Sequence, residues 1–206
     1  MSSNTTKFKQ NILKIGFESS LIIFSVLLAL VLNEYRGQLK TEKEKARAMQ
    51  MIEREINNNV TIINNWIPYH DQVITAFDDA INELAENPTD KRPRDYILRL
   101  MPKGLVQEVV SRSAWDSLQQ VSASVSLDIE TIFLVSKVYK LQEIGVEHTL
   151  MRLIEIMNSR EAMRNSNLEE TLYLMKATLQ ELVAQERQLV YVYEKALTDL
   201  KQKEAN

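Results

Sequence analysis

The sequence predicts an all-α protein: one N-terminal transmembrane helix continuing into a stalk, followed by a helical bundle of about four to five helices. Three observations lead there. The segment Ile15 to Leu32, IGFESSLIIFSVLLALVL, is apolar except for Glu18, Ser19, Ser20 and Ser25 and carries one charge. Only four glycines and four prolines occur in 206 residues, too few for a turn-rich β fold. Apolar positions recur at helical spacing almost throughout the rest. The chain divides into a tail (1–14), a transmembrane helix (15–35), a charged helical stalk (36–50) and a bundle domain (51–206) whose long C-terminal helix covers 167–203.

A spanning helix needs roughly 20 mostly apolar residues. Ile15 to Tyr35 supplies them if Glu18, Asn33 and Glu34 sit at headgroup level. Phe17 and Tyr35 suit the interfaces, and Lys14 and Arg36 can extend toward headgroups. The competing reading is a cleaved signal peptide, with Lys7, Lys9 and Lys14 as its basic region. Ala29-Leu30-Val31 is a poor cleavage site for that. One face of the helix is small or polar: Glu18, Ser25, Ala29, Asn33 and Arg36. Ser25 and Ala29 form a small-xxx-small step, which lets two helices approach closely in lipid. The stripe predicts contact with a second copy or another membrane protein; ordinary polar helix ends are the alternative. Glu18 either serves that contact or reaches water at the edge of the span.

Orientation signals conflict. Arg36, Lys40, Lys43, Lys45 and Arg47 outnumber Lys7, Lys9 and Lys14, which favours a cytoplasmic C-terminal part. A short basic tail before an uncleaved anchor favours the opposite. We read the protein as N-inside, a single-pass protein of a bacterial inner membrane with its helical domain in the periplasm. The absence of cysteine excludes disulfides and thiolate chemistry and identifies no compartment.

In the stalk, Lys40/Glu44, Glu42/Lys45 and Glu44/Arg47 lie at pairing distance on a helix surface. No proline interrupts the chain before Pro68, so the spanning helix can run on through Met49, Ile52, Ile56, Val60 and Ile63, with Gly37 its weak point. A second helix is expected from about Tyr69 to Glu86, Trp66 and Tyr69 bracketing Pro68 at a turn. Asn87 to Asp95 reads as a loop, because Pro88 and Pro93 do not fit a helix interior. A third helix is expected over Leu105 to Val121. A fourth starts near Ser126, favoured by Asp128 and Glu130, and reaches Met157. The last opens on a capping-box pattern, Ser166 and Glu169. Leu168, Leu172, Met175, Leu179, Leu182, Glu186, Leu189, Tyr193, Ala196 and Leu200 then follow steps of four and three, a heptad seam suited to coiled-coil packing. Its partner is either another chain or the stalk helix folded antiparallel in the same chain; the wider stripe through Val183, Val190 and Leu197 favours the latter.

No catalytic constellation emerges, and we expect a non-enzyme without cofactor or metal. His70 and His148 lack a second ligand at metal spacing. There is no nucleophile elbow and no phosphate-binding glycine loop. The adjacent Asp78 and Asp79 point to different helix sides. A net charge of −3 gives no general case for nucleic acid binding. The strongest local charge feature is Lys91, Arg92 and Arg94, extended by Arg99 and Lys103. It suits anionic lipid or an acidic partner, with a solvated loop as the plain alternative.

Two stretches resemble a broad group of uncharacterised bacterial single-pass membrane proteins. ESSLIIFSVLLALVLNEYR (Glu18 to Arg36) is similar to that group's acid-led anchor, closed here by Asn33, Glu34, Tyr35 and Arg36. SRSAWDSLQQVSASVSLDIETIFLVSKVYKL (Ser111 to Leu141) resembles its Ala-Trp-x-x-Leu segment through Ala114, Trp115, Leu118 and Tyr139. The group usually has glycine in the break, where Ser122 to Ser126 stands here. The resemblance implies an anchor with a helical domain and brings no activity. On it Trp115 is a candidate binding residue; physically, beside Ala114 and Leu118, it reads as a core anchor.

The expected function is therefore a membrane-anchored interaction, accessory or scaffold subunit whose partners are the bilayer and another membrane protein or a second copy. The alternative is an extracytoplasmic sensor or ligand-binding bundle that signals through a separate partner.

Overall fold

The computed structural model describes residues 3–87, 89, 92–106, 108–120 and 127–204, with side chains described between 17 and 203. The protein is all-α, with no strand among the described residues. Its helices are α1 (Ser3–Glu86), α2 (Pro93–Leu100), α3 (Ser113–Gln120), α4 (Ile129–Leu141), α5 (His148–Met157) and α6 (Leu168–Glu204). A π-turn, Gln142–Glu147, joins α4 to α5, and 3-10 turns Glu161–Met163 and Asn165–Asn167 lead into α6.

The chain forms two compact units, 1–47 and 48–206. In the first, the described side chains of α1 from Phe17 to Leu32 are exposed. This segment is the one part of the described residues long and apolar enough to cross a membrane. Ser25 turns its hydroxyl back onto the Leu21 carbonyl at 2.8 Å. The Lys40–Glu44 pair forms at 3.8 Å on an exposed surface, where such a pair contributes a few tenths of a kcal/mol, about 0.3.

In the second unit α6 packs antiparallel to α1. Asp78 pairs with Lys176, Asp71 with Arg187 at 2.7 Å, and His70 with Glu186 at 2.8 Å. The α6 seam thus packs within the chain, on the part of α1 beyond the stalk. Ile52, Ile56, Ile63, Trp66 and Phe77 of α1 meet Leu172, Met175, Leu179, Leu182 and Leu189 of α6 in one core. Val135 and Val138 of α4, Leu153 of α5 and Ile97 of α2 close it.

Several expectations change. No second helix starts at Tyr69, because α1 passes through Pro68 to Glu86. Pro68 is exposed while Trp66, Tyr69 and His70 beside it are buried. The missing N–H and the freed Asn64 carbonyl therefore face solvent, and packing of the other face holds the helix. The 87–95 stretch ends in a helix rather than a loop alone, since Pro93 occupies the first turn of α2, where a proline is well placed. Pro88 lies outside the described residues.

The expected helix over Leu105–Val121 is only α3; Val121 is outside the described residues. The described residues between Met101 and Arg112, all but 107, form an irregular strap instead. Gly104 turns it at φ +74°, a conformation that glycine adopts without strain. The strap forgoes helical hydrogen bonds because Tyr69, His70 and Asn59 of α1 bond its backbone at Lys103, Gly104, Leu105 and Ser111. The fourth helix starts with Asp128 as its cap, accepting from the Thr131 N–H at 2.8 Å; Ser126 lies outside the described residues. Ser166 sits in a 3-10 turn with its hydroxyl on Asn167 Oδ1, so α6 begins one residue later than the capping box implies.

Candidate functional site

The buried face of α1 carries polar groups at helical spacing: Glu55, Asn59 and His70. Each reaches a different partner across the bundle, and together they are the chemically distinctive part of the second unit.

Glu55 is half-buried and uses both oxygens. Oε1 accepts from the Tyr139 hydroxyl at 2.7 Å. Oε2 accepts from Ser111 Oγ at 2.7 Å and from the Ala114 N–H at 3.0 Å, which places the carboxylate at the start of α3, where a negative charge is favoured. Burial, and then Glu55, push the Tyr139 hydroxyl well above the usual phenol range, so it remains a donor. Trp115 stacks on Tyr139 with ring centroids 6.0 Å apart. Trp115 is buried, a core anchor as its neighbours suggested.

Asn59 is fully buried. Its Oδ1 accepts from the Ser111 N–H at 2.9 Å and its Nδ2 donates to the Ser111 carbonyl at 2.6 Å. That reciprocal pair mimics a strand contact and fixes the C-terminal end of the strap. Nδ2 also lies 3.4 Å from Gln142 Oε1 and from the Tyr193 hydroxyl. Tyr193 donates to Gln142 Oε1, and Gln142 Nε2 donates to Glu147 at 2.7 Å. Burial raises Tyr193 above the ordinary phenol range. The π-turn thus delivers a buried glutamine to α1 and α6 together, in keeping with the placement of π-turns at special positions.

His70 and Glu186 are both fully buried. His70 Nδ1 lies 2.8 Å from Glu186 Oε1. Its Nε2 donates to the Leu105 carbonyl at 2.8 Å, so that nitrogen carries a hydrogen. Burial alone would lower His70, but the Glu186 bond and charge, helped by Leu105 and Asp71, raise it above the free imidazole. Burial raises Glu186, and His70 opposes that rise. Glu186 Oε2 is buried without a hydrogen-bond partner, which adds to the cost of a charge on that carboxylate. The pair therefore keeps its shared proton to a higher pH than an isolated histidine.

The other candidate residues lie elsewhere. Glu18, Ser25, Ala29, Asn33 and Arg36 are all exposed on α1 in the first unit. Lys91 lies outside the described residues. Arg92 pairs with Asp95 at 2.8 Å, and Arg94 and Arg99 are exposed on α2. This helix packs on the 3-10 turn Glu161–Met163, and Tyr96 feels the charge of Glu83. Arg92 to Arg99 thus sit at the Glu86 end of the second unit, remote from Ala48. Lys103 is apart from them, in the strap, 5.6 Å over the Tyr69 ring.

His148 is exposed on α5. Among the described residues, no three His, Cys, Asp or Glu side chains converge to hold a metal. An apolar groove of about 260 Å³ runs between the π-turn and α6, walled by Leu141, Gly145, Ala184, Leu189 and Val192. Gln185 at its edge accepts from Thr149 and donates to Glu181, so its polar groups are already engaged. The chemistry available in the core is thus hydrogen-bonded fixation of the strap and helix register, with one mobile proton at His70–Glu186. Sequence reasoning did not pick out Asn59 or Gln142, discounted Glu55 beside Glu53 as an acid/base pair, and noted Tyr139 only in the family resemblance. Glu186 was visible as the one charged position in the α6 seam, and His70 as one of only two histidines.

No protein-family model, curated protein or solved structure matches this chain.

Proposed function

We propose that this protein is a non-enzymatic, single-pass membrane protein whose helical bundle binds another membrane protein or a second copy as an accessory or scaffold subunit. The observation that carries this reading is apolar surface left outside a core that is otherwise closed. Ile129 is 84% exposed and Phe133 70% on α4, and Ile144 and Met151 follow on the π-turn and α5. These exposed apolar side chains, set among Lys137, Lys140 and His148, offer anchor points for a partner surface. The exposed Phe17–Leu32 segment supports the anchor, and its small step at Ser25 and Ala29 suits a helix contact in lipid. The tail is read as inside and the bundle as periplasmic, in a bacterial inner membrane. Arg92, Arg94 and Arg99, exposed on and beside α2, suit an acidic partner.

A second reading, a ligand-binding sensor bundle, draws support from the apolar groove beside the π-turn. A thermal shift caused by an apolar small molecule, lost on Ala184→Leu, favours it.

The test of the leading reading is purification of the full chain from its native membrane in mild detergent, with mass by light scattering. A stoichiometric complex or homo-oligomer that dissociates on Phe133→Ser or Ala29→Leu supports it. A monodisperse monomer that carries no partner overturns it.

A further inference from the structure

The buried His70–Glu186 pair lies under the strap, and the strap is the least regular part of the core. Its carbonyl at Leu105 depends on His70 Nε2. Its other ties include the Tyr69 hydroxyl, which donates to the Gly104 carbonyl at 2.8 Å and accepts from the Lys103 N–H at 3.2 Å, and, at the far end, the Asn59 clasp on Ser111, the Ser111 hydroxyl on Glu55 and the Arg112–Glu143 pair. Met101, Leu105 and Val110 are the buried apolar residues among the described residues of the strap.

We propose that the strap, Met101–Arg112, is a proton-operated latch: loss of the single proton shared by His70 and Glu186 frees the strap around Leu105 and uncovers the apolar surface beneath it.

Two contacts flank the His70 ring, and each needs one hydrogen. One lies between Nδ1 and Glu186 Oε1, and the other is on Nε2 facing Leu105. With the shared proton present, both are supplied, either as imidazolium with carboxylate or as neutral imidazole with carboxylic acid. When the proton leaves to solvent, one ring N–H remains for two acceptors. A bond to an ionised acceptor is roughly twice as strong as one to a carbonyl. The N–H therefore turns to the Glu186 carboxylate, whose second oxygen has no partner. The Nε2 lone pair then faces the Leu105 carbonyl across 2.8 Å, and the two repel. The strap yields because its described residues form no regular hydrogen-bond ladder, whereas α1 and α6 are helices.

The charged and titratable groups around the pair have partners of their own. Asp71 on α1 is held by Arg187 on α6 at 2.7 Å. Lys103 on the strap lies over Tyr69, and Tyr69 itself titrates above the usual phenol value because it is buried.

Hydrogen exchange on the full chain in mild detergent tests the latch, with rates corrected for intrinsic pH dependence. Between about pH 6 and 9.5, protection in 101–112 is expected to fall by up to about tenfold per unit once the pair deprotonates, while α6 changes less. Glu186→Gln supplies an amide donor to Nδ1 and leaves Nε2–H on Leu105, so both contacts persist without a titrating proton. Its strap should keep its protection across the range. A wild-type strap with flat protection, or a Glu186→Gln strap that loosens like the wild type, overturns the proposal. If the variant does not fold, nitrogen NMR of the His70 ring in the wild type decides: a ring that moves its proton to Nδ1 while the Leu105 region stays protected overturns it equally.

Discussion

Replacing Asn59 by alanine removes one side chain from the centre of the second unit and should be among the most damaging polar substitutions. Two short bonds to Ser111 are lost, at 2.6 and 2.9 Å. The Ser111 N–H and carbonyl are then left in a half-buried strap. A stranded buried group costs about 1–3 kcal/mol; water can reach a half-buried one, so about 1 kcal/mol each is appropriate. The truncated amide leaves a void beside Tyr193 and Gln142, adding about 1 kcal/mol. The sum, about 3 kcal/mol, corresponds to a fall in Tm of about 6–12 °C for a unit of this size. The assay is thermal unfolding followed by far-ultraviolet circular dichroism in mild detergent. Asn58→Ala is the control, because Asn58 is exposed one residue away and should change stability by less than about 0.5 kcal/mol. Equal, small shifts for the two variants would refute the view that the Asn59 clasp fixes the strap.

Three further outcomes are expected. His70→Ala strands the buried Glu186 carboxylate and should destabilise by about 3–5 kcal/mol, with most of the loss recovered in the His70→Leu/Glu186→Leu double variant. Because the folded His70 value is raised, its contribution is fully present below about pH 6.5 and disappears as pH rises through the folded value; a wild-type Tm that does not fall on the alkaline side contradicts this. Asp128 is held well below the usual carboxylate range by the Thr131 hydroxyl, the Thr131 N–H and Lys203, so its contribution is present above about pH 3.9 and fades as pH falls. Asp128→Ala should cost about 1 kcal/mol, and Asp128→Asn much less since asparagine caps too; equal losses in the two would deny the cap its role. Pro68→Ala restores a helical N–H in an exposed position and should raise Tm, toward the roughly 3 kcal/mol that a helix-interior proline can cost; a lower Tm would show that α1 needs its proline to present Tyr69 and His70.

The parts of the fold that repeat locally were readable in advance. The seam from Leu168 to Leu200 is a local pattern, and α6 follows it almost to the residue. Pro68 misled because its local penalty was weighed without the α6 face that packs beside it. The strap misled for the opposite reason. Leu105, Val106, Val109 and Val110 have helical apolar spacing, yet their segment is held by Tyr69, His70 and Asn59 about 35 to 50 residues away. Long-range side-chain bonds to backbone leave no periodic trace. For the same reason His70 and Glu186 were each visible singly, while their pairing was not.

The π-turn also has a meaning in terms of insertion and phase. From Val138 the buried positions advance in three successive steps of four, through Gln142 and Val146 to Leu150. In a 3.6-residue helix each such step drifts by about 40°, so three would rotate the core stripe by roughly a third of a turn. The wider Gln142–Glu147 turn absorbs that drift, as though one extra residue had been spliced into a straight helix and tolerated. Excision of one residue there, such as Ile144, would erase the wide turn and restore an unbroken α-helix. Val138 and Leu150 would then stand 11 residues apart, about 20° from perfect phase in a regular helix, so α5 would keep its core face toward α6. This short segment is the phase joint that lets two differently timed helices share one interior.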